Sequence, residues 1–188
     1  MLPDQIKNYR EVVTLKDGTH VLLRPMAVED CEHLVELYNP IGDDDVRYLR
    51  ENVKDKAVLQ KWCEKLDYNR NLPILALVKD RTVGNGLLHM YRGPKRHVGE
   101  VQLFLAKDYR MRGLGMKLIH VLIEFARKQG LSILVVEVIA SKTKVVRAFE
   151  KLGFIPRCTL DDFFMLPDGE CTDVVFMTMQ LKPREDEF

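Results

Sequence analysis

Charge of one sign is not in excess in this sequence: 29 Lys and Arg stand against 28 Asp and Glu, a net charge of +1. Dedicated nucleic-acid and membrane-surface binders carry a clear basic surplus, so neither partner class is expected. Long apolar runs are missing too. The longest, residues 133–140, is interrupted by Glu137 and falls far short of the roughly 20 residues that span a bilayer. Cysteine is sparse: Cys31, Cys63, Cys158 and Cys171 are widely spread, with no Cys-x-x-Cys pair. That pattern argues against structural zinc and disulfides, and reduced thiols in a cytoplasmic protein are expected. The opening Met1-Leu-Pro-Asp lacks a charged-then-apolar export pattern, in keeping with a cytoplasmic location. No repeat, low-complexity tract or Pro/Gly/Ser linker divides the chain.

What is present is a chain of 188 residues, 46% of them hydrophobic, which suits one domain with a sizeable core. We expect that domain over residues 1–181, followed by a charged tail at 182–188. Asp17-Gly18 between two β-rich runs predicts a tight hairpin, and Pro25 ends its second strand. Residues 31–38 predict one short helix, and the spacing of Val58, Leu59, Trp62 and Leu66 a second, with Trp62 in the core. Three strand-like runs follow at 73–78, 83–91 and 98–105. Leu114, Leu118, Val121, Leu122 and Phe125 keep one helical face, which Gly130-Leu131 closes. Residues 133–138 alternate little, as in a strand buried on both faces. Val145, Ala148, Phe149 and Leu152 mark another helix, closed by Gly153-Phe154, and strands at 156–160 and 173–181 flank a turn at Pro167-Asp168-Gly169. The order is ββ, αα, βββ, α, β, α, ββ, a mixed α/β (α+β) fold.

The sharpest chemical signal is Arg110-Met111-Arg112-Gly113-Leu114-Gly115-Met116, between a strand and a long helix. Glycine lets backbone approach a ligand closely, and several N–H groups at a helix N-terminus make an anion site suited to phosphate. Arg110 and Arg112 add full charges. The nucleotide P-loop spacing is absent, and so is the third glycine of the dinucleotide fingerprint, since Leu118 stands in its place.

Together with the strand Val101-Gln-Leu-Phe-Leu105 and Asp108-Tyr109 before it, and Ala148-Phe-Glu-Lys-Leu-Gly153-Phe154 after it, this loop resembles the acetyl-CoA loop of the GNAT acyltransferase superfamily. The opening Asp17-Gly18, Leu23-Arg24-Pro25 and Glu29-Asp30 is similar to bacterial protein-lysine acetyltransferase domains. The resemblance implies a central, mostly antiparallel twisted sheet with a splayed strand pair and flanking helices. It implies that the pantetheine arm of acetyl-CoA lies along Leu103 to Leu105 and the diphosphate on Arg110 through Met116. The implied reaction is acetyl transfer to a primary amine, of a small molecule or a protein lysine, by direct attack in a ternary complex. No metal is called for. His89 and His97 lack the third ligand that catalytic zinc takes.

The amine must lose a proton, because a lysine-like ammonium has a pKa of about 10.4. Glu100 occupies the position where the family often carries a base, with Glu137 and His97 as second choices. It shares a strand face with Gln102 and Phe104, and an exposed surface carboxylate is the plain alternative. Two positions depart from the family pattern. Phe149 stands where a tyrosine usually protonates the thiolate, and Lys142 where an asparagine is usual. Lys142 could neutralise a cofactor phosphate, and Tyr109 or water could take over the acid role. The missing hydroxyl makes an acyl-CoA-binding regulatory module with little catalysis the competing reading. Asp43-Asp44-Asp45 would attract a cationic acceptor, though an ordinary solvated acidic loop is the favoured reading. The resemblance leaves a homodimer through the C-terminal strands open, and the residues do not name the acceptor.

Overall fold

The computed structural model describes residues 3–40, 42, 51–166 and 168–182. In chain order its elements are α1 (Pro3–Lys7), β1 (Glu11–Thr14), β2 (His20–Pro25), α2 (Cys31–Tyr38), α3 (Lys56–Glu64), β3 (Asn71–Val78), β4 (Arg81–Met90), β5 (Val98–Leu105), α4 (Leu114–Lys128), β6 (Ile133–Ile139), α5 (Thr143–Lys151), β7 (Ile155–Met165) and β8 (Cys171–Gln180). The expected order holds, with α1 as an addition. That helix is too short for periodicity to reveal it, and the burial of Ile6 at 1% exposure anchors it. β7 runs beyond the expected 156–160, because pairing with β8 resumes after a register shift and continues to Met165↔Cys171.

The eight strands form one sheet in the order β1-β2-β3-β4-β5-β6-β8-β7. Every neighbouring pair is antiparallel except β5–β6. α4 makes the crossover between these two strands, the connection that parallel neighbours require. Hydrophobic clusters cover both faces. Leu72, Ile74 and Ala76 of β3 enter the cluster built around α4, while Leu75 and Leu77 enter the one beneath α2 and α3. A strand buried on both faces has no need to alternate, which is why β3 and β6 read as continuous apolar runs.

α4 buries Leu114, Leu118, Val121, Leu122 and Phe125, the face marked out by their spacing. It lies close on the sheet because Gly86 of β4 carries no side chain; a Cβ there would come within 3.1 Å of Leu122 Cδ1. Both long helices stop as expected. The Leu131 N–H donates to the Ala126 carbonyl and the Phe154 N–H to that of Phe149, each at 3.0 Å, past a left-handed glycine.

One expectation is overturned. Cys31 of α2 and Cys63 of α3 form a disulfide, with Cα atoms 6.0 Å apart across 32 residues of sequence. The two helices pack side by side over Met26, Leu34 and Leu59, and this tertiary proximity has no counterpart in cysteine spacing. Cys158 and Cys171 are the free thiols among the described residues, and both are exposed. No helix among those residues is long and apolar enough to cross a membrane. Asp43-Asp44-Asp45, Pro167 and the tail at 183–188 lie outside the described residues.

Candidate active site

The β5–β6 pair is short. Val98↔Ile133, Gly99↔Leu134 and Glu100↔Val135 are matched, and there the register ends. β5 continues to Leu105 and β6 to Ile139 as the two diverge. β5 keeps its antiparallel partner β4 throughout, from Met90↔Gly99 to Gly84↔Leu105. The backbone of residues 101–105 therefore has a strand on one side and a widening gap on the other. This is the splayed pair the sequence suggested, and it brings Leu103 and Leu105 to the edge of the gap.

The anion loop sits at the open end. Met111 and Gly113 both take left-handed backbone, at φ 62° and 89°. Met111 pays for this conformation and points outward, 82% exposed, whereas Gly113 adopts it without a Cβ penalty and serves as the N-cap of α4. No side chain caps that helix, and its first turn holds no acidic residue. The first N–H groups of the helix thus have no intrahelical partner and converge where an anion would sit. Gly115 lets the start of α4 lie close on β5, since a Cβ at that position would lie 3.1 Å from Leu103 Cδ2 and 3.4 Å from Leu105 Cδ1. These residues fit a phosphate-bearing thioester cofactor: donors for the diphosphate, and beside them a strand edge for an extended amide-bearing arm.

The arginine side chains are already engaged. Arg110 Nε donates to the Leu105 carbonyl at 3.1 Å, which ties the loop back to its strand. Arg112 pairs with Asp17 at 3.0 Å and lies 4.9 Å from the centre of the Tyr109 ring. The Thr19 N–H, and then the Arg112 charge, hold the Asp17 carboxyl below the usual carboxylate range. Arg81 grips Asp108 with both nitrogens, at 2.6 and 3.1 Å, and approaches the same tyrosine ring. Tyr109 is thereby framed by two guanidinium groups.

Glu100 lies at the vertex, on the last matched pair. It is not the exposed strand carboxylate of the plain alternative but is 1% exposed. Its Oε2 accepts from the Tyr91 hydroxyl at 2.5 Å and its Oε1 from Gln102 Nε2 at 3.2 Å. His89, its cross-strand partner in β4, sits edge-on to the Tyr91 ring at 5.0 Å, and its Nδ1 is 2.7 Å from Asn71 Oδ1. Sequence reasoning passed over Tyr91 and Asn71, and weighed His89 only as a metal ligand. Their signal was parity: Asn85, His89 and Tyr91 fall on alternate positions of one strand run, a polar face opposite the glycines and leucines that meet α4.

That polar face runs on toward α2 and α3. Asn85 Nδ2 donates to the Tyr38 hydroxyl at 3.2 Å, and Tyr38 packs against Phe104 and Trp62. Burial pushes the Tyr38 hydroxyl up to about 12, so it stays protonated at neutral pH. Trp62 is half-buried and donates to Glu51 at 2.5 Å. Glu137 is half-buried on β6, and His97 is exposed before β5. Lys142 is exposed at the N-cap of α5. Phe149 is 6% exposed and stacks edge-to-face on Phe154 at 5.2 Å, so its ring belongs to the core.

The comparisons with known proteins agree with this geometry. A family model described as the acetyltransferase (GNAT) family matches residues 32–154. An acetyltransferase of Pseudomonas aeruginosa is 30% identical over 128 residues, 63% of this chain and 66% of that relative. An L-methionine sulfoximine/L-methionine sulfone acetyltransferase of the same organism is 26% identical over 86% of this chain and 95% of its own length. Among solved structures, the GNAT domain of S. lividans PAT superposes with a TM-score of 0.77 at 18% identity, covering 96% of this chain and 99% of that one. The Salmonella typhimurium protein yncA, solved with its cofactor acetyl-CoA, superposes at 0.74 and 20% identity, covering 87% and 95%. These two likenesses establish the shared fold. With well over half of its length matched by the family model, the chain belongs to the acetyltransferase (GNAT) family, and acetyl transfer is its chemistry.

Proposed function

We propose that this protein moves the acetyl group of acetyl-CoA onto a primary amine, of a small molecule or a protein lysine, in a ternary complex with Glu100 as the base. The observation that carries the reading is the position of Glu100: a buried carboxylate, held by two donors, at the point where β5 and β6 part. Backbone N–H groups of Arg110 through Met116 would hold the diphosphate, and the edge of Leu103–Leu105 the pantetheine arm. Acetyl-CoA, when bound, supplies a thioester already activated toward amines. Glu100 faces the α2–α3 side of the sheet together with Gln102 and Phe104, and from that side it takes the proton of the incoming ammonium.

Phe149 offers no proton, so the chain works without a dedicated acid at that position. A thiol has a pKa of about 8.5, which makes its thiolate a tolerable leaving group, and the missing acid costs about 10²–10⁴-fold. The buried Phe149 ring also favours a second reading, a binding module with little turnover. Free-thiol release from acetyl-CoA, followed across a panel of amines, separates the two. Because one relative is named for acting on methionine sulfoximine and sulfone, amino acids with a free α-amino group head that panel, with lysine peptides beside them. Turnover that Glu100→Gln lowers by about 10²-fold or more, with cofactor binding intact, supports the enzyme reading. Cofactor binding without turnover of any amine supports the module.

A further inference from the structure

We propose that Tyr91 is a positioning residue for Glu100: its hydroxyl donates to the carboxylate and aims it, and the ring is itself set by His89. The inference rests on Glu100 acting as the base. A carboxylate at 1% exposure bears a heavy desolvation cost, which donors to its charged form help to offset. Tyr91 and Gln102 are two such donors, one on each oxygen. The Tyr91 bond, at 2.5 Å, is much the shorter; Gln102 stands at 3.2 Å.

The support behind Tyr91 runs across the sheet. Asn71 of β3, His89 of β4 and Glu100 of β5 are cross-strand partners in a single row. With Asn71 Oδ1 as acceptor at 2.7 Å, His89 Nδ1 carries the hydrogen, which fixes the imidazole plane. That plane meets the Tyr91 ring edge-on, at 89° and 5.0 Å. Lys95 Nζ lies over the Tyr91 ring, 5.4 Å from its centroid. The imidazole and the ammonium thus flank the ring whose hydroxyl donates to Glu100. Among the described residues, the titratable groups that face the pair include His89 from β4, Glu137 on the same face of β6 two positions past Val135, and Lys95 from the turn before β5.

The test uses the full chain. Tyr91→Phe keeps the ring and its flanking groups but removes the donor to Oε2. Two readouts are compared with wild type: the acid limb of the pH profile of kcat/KM, and the midpoint of a ¹³C-carboxyl NMR titration of Glu100 without cofactor. Both should move to higher pH by about one to two units, the equivalent of one hydrogen bond to a charged group. Activity should recover toward wild type above the new limb, with acetyl-CoA affinity unchanged. Gln102→Met, which removes the longer bond, should move both readouts the same way by less. If Glu100→Gln abolishes turnover while Tyr91→Phe leaves profile and titration in place, the role of Tyr91 is wrong and the base reading stands. If Glu100→Gln turns over like wild type, the base reading fails, and this inference with it. A larger movement from Gln102→Met than from Tyr91→Phe also overturns the assignment.

Discussion

Asp17, at the tip of the first hairpin, and Arg112, in the anion loop, form an ion pair 3.0 Å long although 95 residues separate them. The backbones meet at the same place, where the Lys16 N–H donates to the Arg112 carbonyl at 3.5 Å. The hairpin thus braces the loop and offsets part of its positive charge.

Arg112→Ala should weaken acetyl-CoA binding only about two- to fivefold, because the backbone N–H groups of the loop remain and an exposed charge is worth little. Asp17→Asn should act in the opposite direction by a similar factor, since it leaves the guanidinium uncompensated. Calorimetry of both variants at low salt checks the pair of signs. A hundredfold loss in Arg112→Ala would mean that the side chain, rather than the backbone, holds the phosphates.

Gly115 tests the placement of the loop. Even a Cβ there would press on Leu103 and Leu105, so Gly115→Trp should fill the entry to the gap. Cofactor binding should fall below detection at about millimolar acetyl-CoA, while the far-ultraviolet spectrum stays native. Unchanged affinity would place the cofactor elsewhere.

The Arg24–Asp30 pair predicts an acid dependence of stability. Burial by itself would raise the Asp30 carboxyl, but hydrogen bonds from Arg24 at 2.5 and 2.6 Å and from the Ala27 N–H outweigh it and hold the group below the usual carboxylate range. A carboxyl depressed in the folded state contributes stability above its unfolded pKa of about 3.9, and that contribution fades as pH falls through the folded value. Asp30→Asn should therefore cost about 3 kcal/mol at pH 7, by leaving Arg24 without its charge partner. In urea titrations repeated toward pH 3, the gap between variant and wild type should close. A gap independent of pH would assign the cost to packing.

The Cys31–Cys63 disulfide predicts two reactive thiols on the native protein, Cys158 and Cys171, and four after unfolding in reductant. Reduction should lower unfolding stability by about 2–4 kcal/mol, since the cross-link closes a loop of 32 residues in the unfolded chain. Thiol counting by mass spectrometry after alkylation reads the first number, and denaturation with and without reductant the second. Four alkylated cysteines on the untreated native protein would rule out the bond.

The parts of this molecule legible in its sequence are those fixed over short chain distances. The glycine–apolar stops at Gly130-Leu131 and Gly153-Phe154 and the turn at Gly113 are local backbone requirements, and each is met as read. The unalternating run at β6 reported a strand covered on both faces. The face shared by Glu100 and Gln102 followed from strand parity, and the hydrogen bond between them obeys it. What parity does not tell is what covers a face. Glu100 could have been solvated; in the fold it is buried and accepts a hydrogen bond from Tyr91, a residue whose place beside it parity alone does not give. The disulfide escaped for the same reason, because it joins two helices whose adjacency is a product of the core beneath them.

The parallel β5–β6 pair holds for only three residues, from Val98↔Ile133 to Glu100↔Val135. The chain leaves β5, climbs α4 and returns as β6, and the two strands, side by side at first, part after Glu100 like the legs of a compass. α2 and α3, which lie on the Glu100 face of the sheet, arrive from an earlier part of the chain. If the acceptor meets Glu100 from that side, as proposed, substitutions in α2 and α3 can change the acceptor while the parting of β5 from β6 stays where it is.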